Sequence, residues 1–325
     1  MPELIIQTNN LTRYFGRKAA VRQLNLAVPR GGVFALLGRN GSGKTTTIRM
    51  LLGLQAPTRG SATILNTDCM QLTPAVRARI GYLGEGHFVY GWMRVREAAR
   101  FQAACFPRWN QKVFDGVIDH FNLDGDAKVR HLSRGEKAGL CLALTLAPEP
   151  ELLVLDDPAL GLDPVARRAL VEAMLAVTSR QDRTILLSSH YLDDVERVAD
   201  HIAILDRGIL RVQCPVDEFR QRVGRWIVKF PAPPRDVPKI RGLVHARVIE
   251  NDIELTIANA NEDTERALAE CGAMAVERAP LSLDQAVIDY LSTRGRSGSL
   301  LQVVGGGNDI ARSESDSIAE TVETT

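Results

Sequence analysis

Short apolar runs alternate with longer amphipathic stretches along the first two thirds of the chain, from residue 4 to about residue 213. Four of these runs occupy residues 33–37, 152–155, 184–187 and 202–205, and each is followed by a turn or a helix signal. Leucine-rich and β-branched runs of this length, separated by helical stretches, are typical of a parallel sheet that helices cover. We therefore predict an α/β domain over residues 1–220.

The strand-like pattern stops between Gly86 and Arg130, where helical periodicity replaces it. Over residues 95–105 and 112–121, apolar positions recur as they do on one face of an amphipathic helix. We predict that a helical subdomain, over about residues 86–140, is inserted into the α/β domain.

A proline-rich stretch at residues 231–238 interrupts the chain, and we interpret it as a loop inside a small C-terminal domain. The elements predicted for this domain are a hairpin with strands at residues 243–249 and 253–257, helices at residues 262–271 and 282–290, and a strand at residues 274–277. They indicate an α+β domain over residues 225–292. Residues 305–325 carry five acidic residues against one arginine, and this composition predicts a disordered tail over residues 293–325.

Residues 38–45 read GRNGSGKT, which matches the phosphate-binding pattern G-x-x-x-x-G-K-[ST]. An apolar run precedes the pattern and a helical stretch at residues 46–52 follows it, which is the context that a phosphate loop requires. In such a loop, backbone N–H groups face phosphate oxygens, Lys44 neutralises the outer phosphates and Thr45 offers a hydroxyl to Mg²⁺. The residues predicted to bind nucleotide here are Gly38, Asn40, Gly41, Ser42, Gly43, Lys44, Thr45 and Thr46.

Two adjacent aspartates, Asp156 and Asp157, follow the apolar run at residues 152–155. Considered alone, acids at this position are more often solvated groups where a strand meets a loop. The phosphate loop upstream changes the interpretation, because a strand that ends in aspartate beside such a loop supplies an acid for Mg²⁺. We therefore predict that Asp156 and Thr45 are metal ligands.

Residues 132–136 read LSRGE and predict the start of a helix. Ser133 is a good N-cap, and Glu136 three residues later completes a capping box. A well-capped helix needs no further explanation, but this one begins 23 residues before Asp156. In that position the segment resembles the signature sequence LSGGQ of the ATP-binding cassette (ABC) family. The resemblance covers residues 4 to about 213 and implies an ABC-type nucleotide-binding fold.

The resemblance implies roles for further residues. Phe15 is similar to the aromatic residue that stacks on adenine, although a lone aromatic is more often part of a core. His190 resembles the switch histidine that contacts the γ-phosphate, although a lone histidine is usually structural. Asp163 lies in a G-L-D sequence that resembles the loop crossing the dimer interface. Glu85 takes the place of a glutamine that touches Mg²⁺ and the attacking water.

The resemblance also implies that ATP is held between two cassettes. The phosphate loop of one chain would grip the phosphates, while Ser133, Gly135 and Glu136 of the other would cap the γ-phosphate from a helix N-terminus. Hydrolysis would then release the dimer. The sequence leaves open whether the two cassettes are identical.

Some positions depart from the family pattern. Asp157 stands where glutamate is common, and its side chain is one methylene shorter; a misplacement on the order of 1 Å costs about a hundredfold in rate. Glu85 in place of glutamine adds negative charge near Mg²⁺, and Arg134 in place of glycine adds positive charge near the opposing phosphates. Glu136 stands in place of the signature's glutamine and could equally serve as a helix-capping residue. The paired aspartates, with a segment like residues 106–109, resemble bacterial exporter-type members. We predict that Asp157, with His190 and Glu85, catalyses hydrolysis slowly.

Composition argues against several other classes. The chain carries 40 basic and 39 acidic residues, so no strong basic field favours a nucleic-acid partner. Its five cysteines are scattered and never form Cys-x-x-Cys, which suggests neither a disulfide framework nor a zinc site. The best apolar run, at residues 140–147, is far shorter than the roughly 20 residues that span a bilayer.

We therefore expect the ATP-binding and hydrolysing subunit of an ABC transporter of the exporter type, bound peripherally at the cytoplasmic face of the membrane. Its partner would be a separate membrane permease that docks on residues 86–110, with Trp92 and Trp109, although such tryptophans are as often core residues. The alternative is an ATP-gated regulatory or binding module that rarely hydrolyses ATP. ATP turnover measured with and without the permease distinguishes the transporter subunit from the binding module.

Overall fold

The computed structural model describes residues 3–178, 183–234, 237–238 and 240–292. The predicted tail at residues 293–325 lies outside the described residues. The strands are β1 (Leu4–Phe15), β2 (Lys18–Leu24), β3 (Ala27–Pro29), β4 (Gly32–Leu37), β5 (Arg59–Ile64), β6 (Thr67–Asp68), β7 (Ile80–Leu83), β8 (Leu152–Asp156), β9 (Thr184–Ser189), β10 (His201–Asp206), β11 (Ile209–Pro215), β12 (Val223–Lys229), β13 (Leu243–Ile249), β14 (Asp252–Ala258) and β15 (Ala275–Ala279). The helices are α1 (Lys44–Leu51), α2 (Pro74–Arg77), α3 (Val95–Cys105), α4 (Gln111–His120), α5 (Arg134–Leu146), α6 (Pro164–Thr178), α7 (Leu192–Val198), α8 (Val216–Arg222), α9 (Glu262–Glu270) and α10 (Leu283–Ser292). No helix in the described part of the chain has the length and apolar character that crossing a membrane requires.

The central sheet contains the four predicted apolar runs, as β4, β8, β9 and β10. Its strand order is β11-β10-β4-β9-β8-β7, and every pair is parallel except β10 with β11. All residues of β8 and β9 are buried, as expected for strands covered on both faces. The carboxyl ends of β4, β8 and β9 meet at one edge, so the loops that follow these strands lie side by side.

Five strands of the first 68 residues differ from the predicted parallel pattern. They form an antiparallel sheet in the order β2-β1-β5-β6, with β3 also paired to β1, whereas β4 belongs to the central sheet. Antiparallel pairing needs only short turns, whereas a parallel pair needs a crossover of a dozen or more residues. The connections from β1 to β2 and from β2 to β3 are far too short for such a crossover. The parallel sheet therefore begins only at β4.

Three helices form the segment in which strand signals disappear. The bounds of α3 are those predicted, and α4 begins and ends one residue before the predicted helix. α5 packs against both of them, and α4 against α5 most extensively. Their shared apolar cluster includes Val95, Phe114, Ile118, Leu140 and Ala143. Burial of these faces explains why the segment folds as helices between two strands of the central sheet.

The C-terminal elements form a third sheet, in the order β13-β14-β12-β15, with all neighbours antiparallel. The hairpin of β13 and β14 is the predicted one, and β15, α9 and α10 lie within one or two residues of their predicted bounds. β12 was not predicted, although it occupies the centre of this sheet. α10 packs against α7, and its Leu283, Ala286 and Val287 join the apolar core of the central sheet.

Candidate nucleotide site

The loop between β4 and α1 is packed so closely that only glycine fits at two of its positions. Gly38 has φ 155°, and a Cβ there would lie 2.3 Å from the Leu205 carbonyl oxygen. Gly43 has φ 108°, and a Cβ there would lie 2.5 Å from the carbonyl oxygen of Ala20. These contacts hold the loop against β10 and β2, with its backbone curled as a phosphate cradle requires.

Lys44 and Thr45 belong to the first turn of α1, two residues earlier than the predicted start at residue 46. The side chain of Lys44 is buried, and its Nζ donates to the Gly38 carbonyl at 2.6 Å. Thr45 and Thr46 are half-buried, whereas Asn40 and Gly41 are exposed. Ser42 is buried, and its Oγ has no hydrogen-bond partner among the described residues. The first backbone N–H groups of a helix also lack intrahelical partners, so this loop presents several donors.

Asp156 ends β8 and is 1% exposed. Its Oδ1 accepts hydrogen bonds from Thr45 Oγ1 at 3.1 Å and from Ser188 Oγ at 2.7 Å. Its Oδ2 is buried and has no hydrogen-bond partner within the described ranges. A buried carboxylate oxygen without a donor is costly, and a bound cation would offset that cost. Mg²⁺ binds through one or two protein oxygens together with phosphates, which fits Asp156 and Thr45 beside a phosphate loop.

Asp157 follows with a left-handed backbone, at φ 51°. Its N–H donates to the Ser188 carbonyl at 3.1 Å and lies 3.0 Å from Ser188 Oγ, so β9 holds this conformation. Its carboxylate turns toward His190, whose Nδ1 lies 2.7 Å from Oδ2 and 3.0 Å from Oδ1. The predicted catalytic residues Asp157 and His190 are thus in direct contact.

Charges at this edge of the sheet act on one another. Burial raises the pKa of Asp157, and this effect exceeds the opposing effects of His190 and Lys44. Burial lowers the pKa of Lys44, against the attraction of Asp157, Asp156 and Glu85. Glu85 lies in the exposed loop after β7, close enough for its charge to reach Lys44. The edge therefore gathers three carboxylates around one buried lysine.

The signature segment forms a separate cluster. Ser133 Oγ accepts from the Glu136 N–H at 3.2 Å, and Glu136 accepts from the Ser133 N–H at 2.6 Å, which is the predicted capping box. Gly135 is buried against α6, where a Cβ would lie 2.6 Å from the Cβ of Ala166. Asp163 Oδ1 accepts from the N–H groups at the start of α6. Two helix N-termini therefore lie together, and no hydrogen bond among the described residues joins them to the phosphate loop.

Phe15 ends β1 and is 50% exposed, so the structure does not place it in the core. The Arg13 guanidinium lies 5.0 Å from the centre of its ring. The exposed ring face is available for stacking on a planar ligand.

The family model described as "ABC transporter" matches residues 21–160. The bacitracin transport ATP-binding protein BcrA of Bacillus licheniformis is 34% identical over 225 residues, which cover 69% of this chain and 74% of that relative. The daunorubicin/doxorubicin resistance ATP-binding protein DrrA of Streptomyces peucetius is 31% identical over 303 residues, which cover 89% of this chain and 91% of that relative. This chain belongs to the family of ABC transporter ATP-binding subunits.

Solved structures agree with this assignment. The ATP-binding subunit of an ABC transporter superposes with a TM-score of 0.60 at 27% identity, over 67% of this chain and 92% of that one. The dimeric bacterial ABC transporter cassette MJ0796 superposes with a TM-score of 0.59 over 65% and 98%, and at 20% identity it shows the fold alone. The predicted α/β fold of the ABC type is confirmed, and the family binds ATP.

Two residues of this ABC protein carry structural roles that the sequence did not reveal. Ser188 joins both aspartates through one hydroxyl, which only the pairing of β8 with β9 makes possible. His87 Nε2 lies 2.9 Å from the Pro158 carbonyl oxygen and connects the loop after β7 with the loop after β8. No spacing in the sequence indicated either contact, because each joins segments that are far apart along the chain.

Proposed function

We propose that this ABC protein hydrolyses ATP with Mg²⁺ at a site completed by a second cassette, and that hydrolysis drives export through a separate permease at the cytoplasmic face of the membrane. The observation that carries the proposal is the pair of aspartates at the end of β8, Asp156 and Asp157. Asp156 offers an unpaired buried oxygen beside Thr45, and Asp157 offers a carboxylate oriented by His190.

Residues 38–46 would bind the phosphates through backbone N–H groups and Lys44, whose charge is buried and therefore weakly screened. Thr45 and Asp156 would hold Mg²⁺, with Glu85 as a further carboxylate at the same edge. When bound, Mg²⁺ neutralises phosphate charge that develops during transfer. Phe15 would stack on the adenine with its exposed ring.

Asp157 is the proposed general base. Its raised pKa brings the carboxylate closer to the value that suits a base near neutral pH. His190 fixes the orientation of this carboxylate through Nδ1, which leaves Nε2 for the γ-phosphate. The contact with His190 favours hydrolysis over the alternative of a module that only binds ATP.

Ser133, Gly135, Glu136 and Asp163 would act in the opposing site of a dimer. Their separation from the phosphate loop within one chain supports this, as does the dimeric structure of the cassette MJ0796. The capped N-terminus of α5 would direct its partial positive charge at the γ-phosphate of the partner. A homodimer would contain two such sites.

The permease would dock on exposed aromatic residues of the helical segment. Phe88 is 93% exposed, Trp92 67% and Tyr90 60%. Phe88, Tyr90 and Leu144 are among the residues that line an apolar cleft of about 340 Å³. Trp109 does not share this exposure, because its ring packs on Phe114 at 5.6 Å between centroids. An export direction is supported by the relatives, whose names refer to bacitracin transport, Nod factor export and drug resistance.

Steady-state ATP hydrolysis by the purified chain tests the role of Asp157. We expect Asp157→Asn to bind ATP and to lose about a hundredfold or more in turnover. Asp119→Asn, an exposed aspartate on α4, is the matched control and should behave like the parent. Parental turnover by Asp157→Asn would contradict the assigned role, and negligible turnover by the parent with its permease present would favour the binding module.

A mixing experiment tests the shared site. Lys44→Ala removes the phosphate contact and Ser133→Arg blocks the capping helix, so each variant alone should be inactive. An equal mixture forms dimers in which one site combines an intact loop with an intact Ser133, and roughly a quarter of the parental activity should return. If the two regions act within a single chain, no activity returns.

A further inference from the structure

A large polar cleft lies in the antiparallel sheet. Its volume is about 850 Å³, within the range of small-molecule sites, and its walls come from β1, β2, β5 and β11. The residues that line it are mostly polar, and neither aspartate nor glutamate is among them. Phe15 and the residues of the phosphate loop do not line it either.

Three arginines converge on this cleft. Arg17, Arg22 and Arg59 are exposed, and none of them forms an ion pair within the described residues. The chain as a whole has a formal net charge of only +1, so this concentration of positive charge is local. Like charges that converge without an acid repel one another, and a bound anion would relieve the repulsion.

The floor of the cleft has an irregular backbone. Asn10 and Gln23 have positive φ values of 47° and 44°, and the pairing of β1 with β5 shifts register between Asn9 and Thr12. A Cβ at Gly60 would lie 2.4 Å from the carbonyl oxygens of Asn9 and Asn10, so this position requires glycine. Bulges of this kind redirect side chains and concentrate at functional sites.

Hydrogen bonds hold this irregular floor in place. The Asn10 N–H donates to Asn25 Oδ1 at 2.8 Å, and Asn25 Nδ2 lies 3.2 Å from Asn10 Oδ1. Thr12 Oγ1 accepts from the Gln23 N–H at 3.0 Å. The lining therefore has a fixed framework, which distinguishes it from a loose surface groove.

The cleft is also connected to the phosphate loop. The Arg22 N–H donates to the Gly208 carbonyl at 2.7 Å, and the Gly208 N–H donates to the Ser42 carbonyl at 2.9 Å. A ligand bound by Arg22 would thus be linked to the proposed ATP-binding loop through a single intervening residue, Gly208.

We propose that this cleft is a second anion site that binds a phosphate-bearing ligand through Arg17, Arg22 and Arg59. Arginine guanidinium groups bind phosphate through paired hydrogen bonds, and the amide side chains of Asn10 and Gln23 supply further donors. The cleft has room for a group larger than one phosphate. The shared chemistry is a multivalent phosphate, either in a soluble molecule or in an anionic lipid headgroup.

Calorimetry on the full chain tests the soluble source. The phosphate loop is first saturated with a non-hydrolysable ATP analogue and Mg²⁺, so that added pyrophosphate reports on another site. We expect binding of one equivalent, weakened by about a hundredfold or more in the triple variant Arg17→Gln, Arg22→Gln, Arg59→Gln. The matched control is Arg100→Gln, Arg247→Gln, Arg266→Gln, which removes the same charge from exposed positions outside the cleft.

Co-sedimentation with vesicles tests the lipid source. Phosphatidylglycerol vesicles that bind the parent and the control variant, but not the cleft variant, would assign the site to a lipid headgroup; phosphatidylcholine vesicles give the background. The proposal is overturned if neither pyrophosphate nor phosphatidylglycerol binds, or if both triple variants lose binding equally. Because the cleft arginines are not among the proposed catalytic residues, the cleft variant should keep the basal ATP turnover. If the proposed hydrolysis itself is wrong, the parent will also lack ATP turnover, so the two failures are distinguishable.

Discussion

Two buried aspartates of this protein have opposite surroundings. Asp289 on α10 is 3% exposed, and its carboxylate accepts hydrogen bonds from Thr256, from Gln285 and from the guanidinium of Arg225. Asp156 at the end of β8 is equally buried, yet its described donors are two neutral hydroxyls on one oxygen, and the other oxygen has none. Burial alone therefore does not distinguish a structural acid from a functional one.

The difference lies in where the compensating charge resides. Asp289 is neutralised within the protein, so removing its charge leaves the half-buried Arg225 without this partner. Asp156 is compensated only in part, which fits the proposed metal site and would cost the folded protein some stability. The comparison predicts that substitution of Asp156 should reduce ATP turnover, whereas substitution of Asp289 should reduce the free energy of unfolding.

The largest effect is expected for Asp156→Asn. Loss of the proposed metal ligand should reduce ATP turnover by about a thousandfold, because a bound metal lowers the activation barrier by several kcal/mol. The free energy of unfolding of the nucleotide-free protein should change little, since Asp156 forms no ion pair within the described residues and asparagine can still accept from Thr45 and Ser188. Turnover and urea unfolding of the same preparation measure both quantities, and a stability loss larger than that of Asp289→Asn would remove the distinction.

Asp289→Asn should reverse that pattern. We expect the free energy of unfolding to fall by about 2–3 kcal/mol, because a partly buried, charged hydrogen bond to Arg225 is lost. Turnover per folded molecule should match that of the parent. Urea unfolding followed by tryptophan fluorescence checks the stability, since Trp226 is the neighbour of Arg225 on β12. Asp217→Asn is the control, because the Asp217 side chain is 88% exposed.

Ser188→Ala should have an intermediate effect on ATP turnover. The substitution removes the hydroxyl that donates to Asp156 and contacts the Asp157 N–H. We expect turnover to fall about tenfold and stability to fall by about 1 kcal/mol. Thr145→Ala is the matched control, because that hydroxyl bonds a carbonyl of its own helix. Equal turnover in the two variants would show that Ser188 does not orient the aspartates.

The smallest effect is expected for Glu151→Gln, which changes a half-buried acid that is paired with Arg79 and Arg30. The hydrogen bond from Arg79 lowers the pKa of Glu151 by more than burial raises it, and Arg30 lowers it further by a smaller amount. A lowered pKa in the folded state adds stability above the unfolded-state pKa, and this stability is lost as pH falls through the folded value. The parent should exceed the variant by no more than about 1 kcal/mol at neutral pH, since solvent screens the pair.

The two forms should converge in acid, where Glu151 is protonated in both states of the parent. Urea unfolding at neutral and acidic pH measures the difference. A gap that stays constant over this range would mean that the charge of Glu151 contributes nothing.

Much of the fold follows from local spacing. The phosphate loop, the four apolar strands, the bounds of α3 and the capping box of Ser133 with Glu136 all arise from residues that are neighbours along the chain. Periodicity and capping chemistry determine such elements before any tertiary contact forms. The antiparallel sheet of the first 68 residues was not predicted, because apolar runs indicate strands and not the direction of their pairing.

The sequence by itself determined which residues could bind phosphate and metal, since their types and order are fixed along the chain. Only the tertiary structure decided that one oxygen of Asp156 lacks a donor, that Ser188 joins both aspartates and that three arginines, from the β1–β2 turn, β2 and β5, line one cleft. These facts depend on which strands lie side by side. That order is chosen by the packing of the whole core, and no local pattern encodes it.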